Sequence, residues 1–382
     1  MDAPKPVTYE YIDTPEALET VYRKLSTAHR ISVDLEADSL YHFQEKVCLI
    51  QMAANGSNFV IDPLAIPDLS PIKPLFNDIN IQKVFHGADY DVRSLHRDFG
   101  IEINNLFDTE LASRFLGVSE TGLEAVVKQH LNIRLDKKYQ KKDWSKRPLP
   151  IEMIEYAAGD VMYLLPISAE LIKELKRKNR LDWVTEECGY LSQVRSVSND
   201  HLPLYLKIKG AGRLSPRELA ALENILSFRQ QTARKKDKPL FKIFSNRTAL
   251  TLSVSLAGSL DALRDLNILS PRQCNMYGQH IVDAVNSALE LPDNGLPIYP
   301  KNRAPRPPAN VEPRKKALQK WRNDKADALM MDAGLICNRN LATRLAVLNP
   351  CDINEIEAVE EMKAWQKKAF GEEIVSVLKG IK

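Results

Sequence analysis

Two hydrophobic rhythms alternate along the first half of the chain. Thr14-Pro15-Glu16 supplies a capping threonine and a proline at the first helical position, and Leu18, Val21, Tyr22 and Leu25 follow at helical spacing, so the first predicted element is a helix. In ISVDLEADSL the residues Ile31, Val33 and Leu35 alternate with Ser32, Asp34 and Glu36, the period of two expected of a strand with one apolar and one polar face. VCLIQMA and NFVIDPL flank Asn55-Gly56-Ser57 and read as a strand hairpin. KVFHG predicts a further strand, DYDVRSLHRDFG a helix that turns Val92, Leu95 and Phe99 inward, and Asp108-Thr109 the start of another helix. This alternation predicts an α/β domain.

Beyond Trp183 only the helical rhythm persists, strongest at Leu219, Leu222, Ile225 and Leu226, with a fresh start near Leu214-Ser215-Pro216. LPDNGLPIYPKNRAPRPPANVEP is too rich in proline for helix or sheet and reads as an extended linker to a third unit. Phe228-Arg229, Ala233 and Ile243 recur at the same spacing as Trp321-Arg322, Ala326 and Ile336, which suggests an internal duplication. The expected division is 1–205, 206–293, a linker over 294–312, and 313–382.

Composition adds limits. With 382 residues, 44% hydrophobic and 27% charged, the chain suits two or three soluble domains. No apolar run approaches bilayer length, and the first residues lack a basic stretch followed by an apolar one, so a cytoplasmic protein is expected. Cys48, Cys188, Cys274, Cys337 and Cys351 are scattered with no CxxC pair, and read as reduced and structural. The net charge of +3 implies no partner by itself, but it is unevenly spread. Residues 134–147 carry seven Lys or Arg against two Asp, with Tyr139 and Trp144 interleaved, and residues 229–242 carry six against one. Arg314, Lys315, Lys316, Lys320, Arg322 and Lys325 form a third cluster. Such stretches suit a solvated loop, and equally a phosphate backbone with bases stacked on aromatic rings.

The acids carry the candidate chemistry. Asp34 and Glu36 share one strand face, which a solvent-facing strand would also explain. Asp89 and Asp91 both fall in a first helical turn, where the helix dipole favours an anion; Asp89 suits a local cap, and Asp91, beside the inward Val92, can look toward the sheet edge. Tyr156 and Asp160 stand four apart on a predicted helix and project into the same space. Gly159 inside that helix costs about 0.5–1 kcal/mol relative to alanine, which points to another backbone or a ligand approaching closely. Four carboxylates meeting at one place would need cations to remain ionised. Oxygen-only ligands suit Mg²⁺ or Mn²⁺, and two such ions suit phosphodiester hydrolysis, with a tyrosine hydroxyl to orient the water. His86, before a glycine at a strand end, is expected to make a structural hydrogen bond.

These residues resemble the DEDD exonucleases, their tyrosine subgroup, and within it the ribonuclease D group. Asp34-x-Glu36 is similar to the first motif, HGADYDVRSL to the second, and Tyr156-x-x-x-Asp160 to the third; the Val-x-x-Leu spacing selects Asp91 over Asp89 as the second acid. CLIQMA, LFDTELASRFLG and KDWSKRPLPIEMIEYAAGDVMYLL extend the likeness over roughly Tyr9 to Lys178. LSPRELAALENILSFRQQTARKKDKPLFKIFSN resembles the helical HRDC domain, and KALQKWRNDKADALMMDAGLICNRNLATRLA a more divergent copy. The resemblance implies an α/β ribonuclease H-like exonuclease domain, a mixed sheet with flanking helices, followed by two all-α HRDC-type domains. It implies a metal-dependent 3′→5′ exoribonuclease acting on structured RNA 3′ ends such as tRNA precursors, with two divalent cations, Mg²⁺ or Mn²⁺. Asp34 would bridge both ions, Glu36 and Asp160 would complete the ion on the nucleophile side, Asp91 would hold the second largely through water, and Tyr156 would position the attacking water. RNA contacts are expected from Lys137, Lys138, Tyr139, Lys141, Lys142 and Trp144, and from Arg229, Arg234, Lys235 and Lys236. A DNA-directed exonuclease and a non-catalytic RNA-binding adaptor on the same fold are the alternatives.

Overall fold

The computed structural model describes residues 7–196, 201–300 and 310–381. The chain begins with a three-residue strand, β1 (Glu10–Ile12), ahead of the expected first helix. Three residues are too few to display a period of two, and β1 is recognisable only by its parallel pairing at the sheet edge. Helix α1 (Pro15–Leu25) starts where expected, with Thr14 Oγ1 accepting from the Ala17 N–H and Pro15 in the first turn. Strands β2 (Arg30–Ala37), β3 (Val47–Ala54) and β4 (Ser57–Ile61) follow, and the β3–β4 hairpin turns through Asn55 and Gly56, both left-handed at φ 52° and 78°. Then come α2 (Lys73–Asn77), β5 (Gln82–Phe85), α3 (Asp89–Phe99), β6 (Leu106–Asp108), α4 (Thr109–Leu116), α5 (Leu123–Leu131), α6 (Ile151–Met162), α7 (Leu164–Arg177) and α8 (Leu181–Leu191).

The strands form one mixed sheet in the order β1-β4-β3-β2-β5-β6, antiparallel at β2–β3 and β3–β4 and parallel elsewhere. Every residue of β3 is buried, so both faces of the sheet centre are covered. On one face Ile31 and Val33 pack with Met52, Phe59, Val92 and Leu95 and with Leu18 and Val21 of α1. On the other, α6 crosses β2, β3 and β4, and its Met153, Ala157 and Ala158 join Leu49 and Val60. The polar face of β2 is therefore roofed by a helix, not turned to open solvent.

Two helical sets follow: α9 (Pro216–Lys235), α10 (Leu240–Ile243), α11 (Asn246–Ser255), α12 (Leu260–Asp265) and α13 (Pro271–Leu289), then α14 (Val311–Leu329), α15 (Ala333–Ile336), α16 (Arg339–Leu348), α17 (Ile353–Glu357) and α18 (Ala364–Lys379). The starts of α11 and α16, α12 and α17, and α13 and α18 are all offset by 93 residues. Side-chain caps recur at the same offset, Ser245 with Asn338 and Ser259 with Asp352. Arg229 donates to the Phe244 carbonyl and Arg322 to that of Cys337, the matching positions. The duplication expected from four matching residues thus extends through all five helices.

The chain divides into two compact units, one holding 1–37, 47–196 and 305–382 and the other 38–46 and 197–304. Helices α14–α18 thus share a compact unit with the sheet. Trp365 stacks on Trp183 with centroids 4.8 Å apart, and Glu186 of α8 accepts from the Ala364 and Trp365 N–H groups at 2.8 Å, capping α18. Val311 and Glu312, expected in the linker, join Pro313 in the first turn of α14, where a proline displaces no helical hydrogen bond. Linker residues 301–309 lie outside the described residues. Among the described residues no helix is long and apolar enough to cross a membrane.

Candidate active site

Strand β2 places Asp34 opposite Gln51 and Glu36 opposite Leu49 on the face under α6, and an irregularity in register follows Glu36. Helix α6 brings Tyr156 and Asp160 to the same place, their side chains hydrogen-bonded one turn apart. Burial first, then the charges of Asp34, Asp160 and Asp91, pushes the Glu36 carboxyl well above its ordinary range. Burial likewise raises Asp91 and Asp160, each also under the charge of Asp34, and pushes Asp34 up to about 7. The Tyr156 hydroxyl is raised by burial and by Asp160, Glu36 and Asp34. The four acids and the tyrosine thus lie within one another's fields, and no cationic side chain figures among the groups acting on the acids.

Asp34, Glu36, Tyr156 and Asp160 line a cleft of about 330 Å³, whose rim includes Leu123, Leu135, Lys137 and Gln140. Asp91 is 7% exposed and is not among the residues that line the cleft. Among the described residues no three His, Cys, Asp or Glu side chains already stand in ligating geometry. The four acids nonetheless act on one another across this space. Their chemistry still fits a hard divalent ion: oxygen donors only, with no competing ammonium or guanidinium.

Helix α3 begins beyond Gly87, whose φ of 74° and whose approach to Glu110 Oε2, 2.7 Å from where a Cβ would stand, exclude a side chain. Asp89 does not cap this helix; it is exposed and binds Arg93 at 2.7 Å. The capping role falls to Asp108, 3% exposed, whose carboxylate accepts from Gly87 and Ala88 at 2.9 and 2.8 Å and from Glu110 and Leu111 at 2.8 and 3.2 Å. One side chain therefore ties the starts of α3 and α4 together and sets where Asp91 points. Sequence reasoning missed it; an aspartate immediately before a helix was the available signal. His86 makes the expected structural bond, its Nδ1 2.9 Å from Thr109 Oγ1, which itself donates to the Phe85 carbonyl, and burial holds its imidazole below the usual range.

The basic stretch between α5 and α6 is clamped by Arg147, whose guanidinium makes two bonds to Asp62 at 2.6 and 2.7 Å, while Tyr11 donates to the same carboxylate at 2.7 Å. The clamp draws Trp144 inward to 1% exposure, with its ring 6.2 Å from that of Tyr156, and Tyr139 lies 5.7 Å from Tyr156 on another side. Trp144 is thus a wall behind Tyr156, not a stacking platform for a base. Lys137 lines the cleft and pairs with Glu124 at 2.8 Å; Lys138, Lys141 and Lys142 are exposed. In the other unit Arg229 is 4% exposed and bonded to Phe244 and Asn246, which removes it from the expected RNA contacts. Arg234, Lys235 and Lys236 are exposed there, Arg234 over the Phe43 ring and Lys236 bonded to the Tyr277 hydroxyl.

Comparison with known proteins bears on this site. The 3′-5′ exonuclease family matches residues 9–176, and the HRDC domain matches twice, at 218–285 and 312–378. Ribonuclease D of Acidiphilium cryptum is 30% identical over 389 aligned residues, covering 99% of this chain and 94% of that protein. The crystal structure of Escherichia coli RNase D, described as an exoribonuclease involved in structured RNA processing, superposes with a TM-score of 0.73 at 26% identity, covering 98% of this chain and 99% of that one. The catalytic core of RRP6 from Trypanosoma brucei gives a TM-score of 0.64 at 30% identity, covering 75% and 81%. With the nuclease motifs in order, both HRDC copies present and the likeness running nearly end to end, this chain belongs to the ribonuclease D family.

Proposed function

We propose that Asp34, Glu36, Asp91 and Asp160, with Tyr156, are the catalytic set of a 3′→5′ exoribonuclease that trims structured RNA ends, tRNA precursors among them, in the cytoplasm. The chain is a hydrolase of this class and depends on divalent metal. Two ions, Mg²⁺ or Mn²⁺, would supply an activated water and stabilisation of the departing 3′ oxygen. Asp34, central on β2 and acting on each of the other acids, would help hold both ions. Glu36 and Asp160 would help hold one of them and Asp91 the other. Tyr156 stays protonated and orients the attacking water by its hydroxyl, since burial and three carboxylates disfavour its phenolate. Lys137, at the cleft rim, exchanges Glu124 for an RNA phosphate, and the exposed Lys138, Lys141 and Lys142 extend the same path. In the other unit, Arg234, Lys235 and Lys236 offer a second basic surface. We take 1–205 as the nuclease domain and 206–293 and 313–382 as the two HRDC-type domains, a division supported by the HRDC matches at 218–285 and 312–378.

The observation that carries this reading is the convergence of four acids and one tyrosine without a cationic partner, Asp34, Glu36, Tyr156 and Asp160 lining one cleft and Asp91 buried within the reach of their charges. The test is mononucleotide release from 3′-end-labelled RNA with Mg²⁺ or Mn²⁺, alongside DNA of the same sequence. Asp34→Asn and Asp160→Asn are expected to lose at least a thousandfold in rate, and undiminished activity in either would remove the assignment. Tyr156→Phe is expected to retain RNA binding while lowering kcat.

A further inference from the structure

Gln51 is fully buried in the middle of β3, yet neither its Oε1 nor its Nε2 has a hydrogen-bond partner among the described residues. It stands directly across the ladder from Asp34 on one side and Val60 on the other. Residues paired this way project from the same face, with Cβ atoms about 4.5–5.5 Å apart. The nearest neighbours of Gln51 on that face are Leu49 and Val60, with Met153, Ala157 and Ala158 of α6 closing over them, while the nearby polar Ser32 and Asn58 are each engaged with a backbone carbonyl, of Ala53 and Ala158. A leucine or methionine would fill this place with no orphaned groups, and burying a whole unpaired amide is strongly unfavourable. The amide is the wrong residue for packing and the right one for holding a carboxylate.

We propose that Gln51 is a positioning residue for the metal centre: its Nε2 donates to the Asp34 carboxylate and fixes the orientation in which that carboxylate ligates, and its Oε1 accepts from water in the ion's hydration shell. The inference rests on the functional reading above and extends it to a residue outside the acid motifs. It follows from three facts together: the burial, the double lack of partners, and the register opposite the most central acid. Ion binding would give both amide groups their partners at once. Outer-shell groups of this kind typically change metal affinity 10- to 100-fold.

The experiment uses the full chain stripped of metal, with Mn²⁺ binding followed by calorimetry and thermal unfolding measured in chelator. Gln51→Met keeps the volume and removes both polar groups. Its metal-free melting temperature is expected to equal or exceed that of the parent, while its Mn²⁺ dissociation constant rises tenfold or more. Gln51→Asn, which keeps the amide but withdraws it by one methylene, is expected to weaken Mn²⁺ binding as well, and decides the matter should Gln51→Met not fold. Mn²⁺ binding by Gln51→Met within twofold of the parent, whatever its melting temperature, overturns the proposal. Asp34→Asn separates the two readings: a parent protein that binds Mn²⁺ no better than Asp34→Asn overturns the metal centre itself, whereas normal binding by the parent and by Gln51→Met overturns only the role of Gln51.

Discussion

Replacing Asp108 by alanine should be among the most damaging single changes in the catalytic region, although Asp108 belongs to none of the motif positions. Its carboxylate accepts four backbone N–H groups from the starts of two helices. Alanine leaves the Gly87 and Ala88 donors without partners in a largely buried turn, at about 1–3 kcal/mol each. It also removes the cap of α4, typically about 1 kcal/mol. The sum is about 3–7 kcal/mol, a large part of the 5–15 kcal/mol that holds a typical domain. Asparagine distinguishes this account from a general need for charge. Oδ1 alone serves Gly87, Glu110 and Leu111, so an amide oxygen in its place preserves three of the four bonds and loses only that to Ala88. Asp108→Asn should therefore lose only about 1–2 kcal/mol. Urea unfolding in chelator measures both variants without metal masking the change, and the metal concentration needed for half-maximal activity should rise in Asp108→Ala as the start of α3 and Asp91 move. A loss below about 1 kcal/mol in Asp108→Ala, or equal losses in both variants, would refute the reasoning.

The acid cluster predicts a pH dependence of the metal-free protein. Because Asp34 has a raised folded pKa of about 7, its contribution to stability is full below about pH 4 and is lost as pH rises through 7; from pH 5 to pH 8 the stability advantage of Asp34→Asn over the parent should widen, by at most about 3 kcal/mol before allowance for water in the cleft. Unfolding in chelator at the two pH values checks this, and a gap that narrows contradicts it. At Gly159 no protein atom lies within 4 Å of a would-be Cβ, so the close neighbour expected there is not another backbone. Gly159→Ala should stabilise α6 by about 0.5–1 kcal/mol and raise KM for RNA severalfold, and an unchanged KM would mean that substrate does not pass that face.

Much of the nuclease centre was legible because its elements are governed by local periodicity. The period of two in β2 placed Asp34 and Glu36 together, and the spacing of four in α6 aligned Tyr156 with Asp160. Asp91 was separable from Asp89 by its neighbour Val92, and the Asp89–Arg93 pair gives the physical reason the other aspartate faces outward. What escaped was decided by partners distant in sequence. Trp144 looked like a stacking ring among lysines, but Asp62 lies 85 residues from the Arg147 it binds, and no local pattern announces that pairing. Arg229 sat in a basic run, yet its bond to Phe244 belongs to a repeat architecture in which Arg322 does the same. The gathering of the last helical set with the nuclease sheet was equally invisible, because it rests on aromatic contacts between segments on either side of the linker.

Those contacts bind the C-terminal tail to catalytic integrity. Trp183 and Phe115 shelter against Trp365, and Arg180 donates to the carbonyl of Leu329 at 2.7 Å. A chain cut anywhere in its proline-rich stretch would strip that shelter away, leaving two large rings and two glutamates, Glu186 and Glu187, facing water where a helix start had covered them. The excised nuclease would be a sticky and weakened fragment, so losing its final seventy or so residues would look like a catalytic defect while originating in solubility.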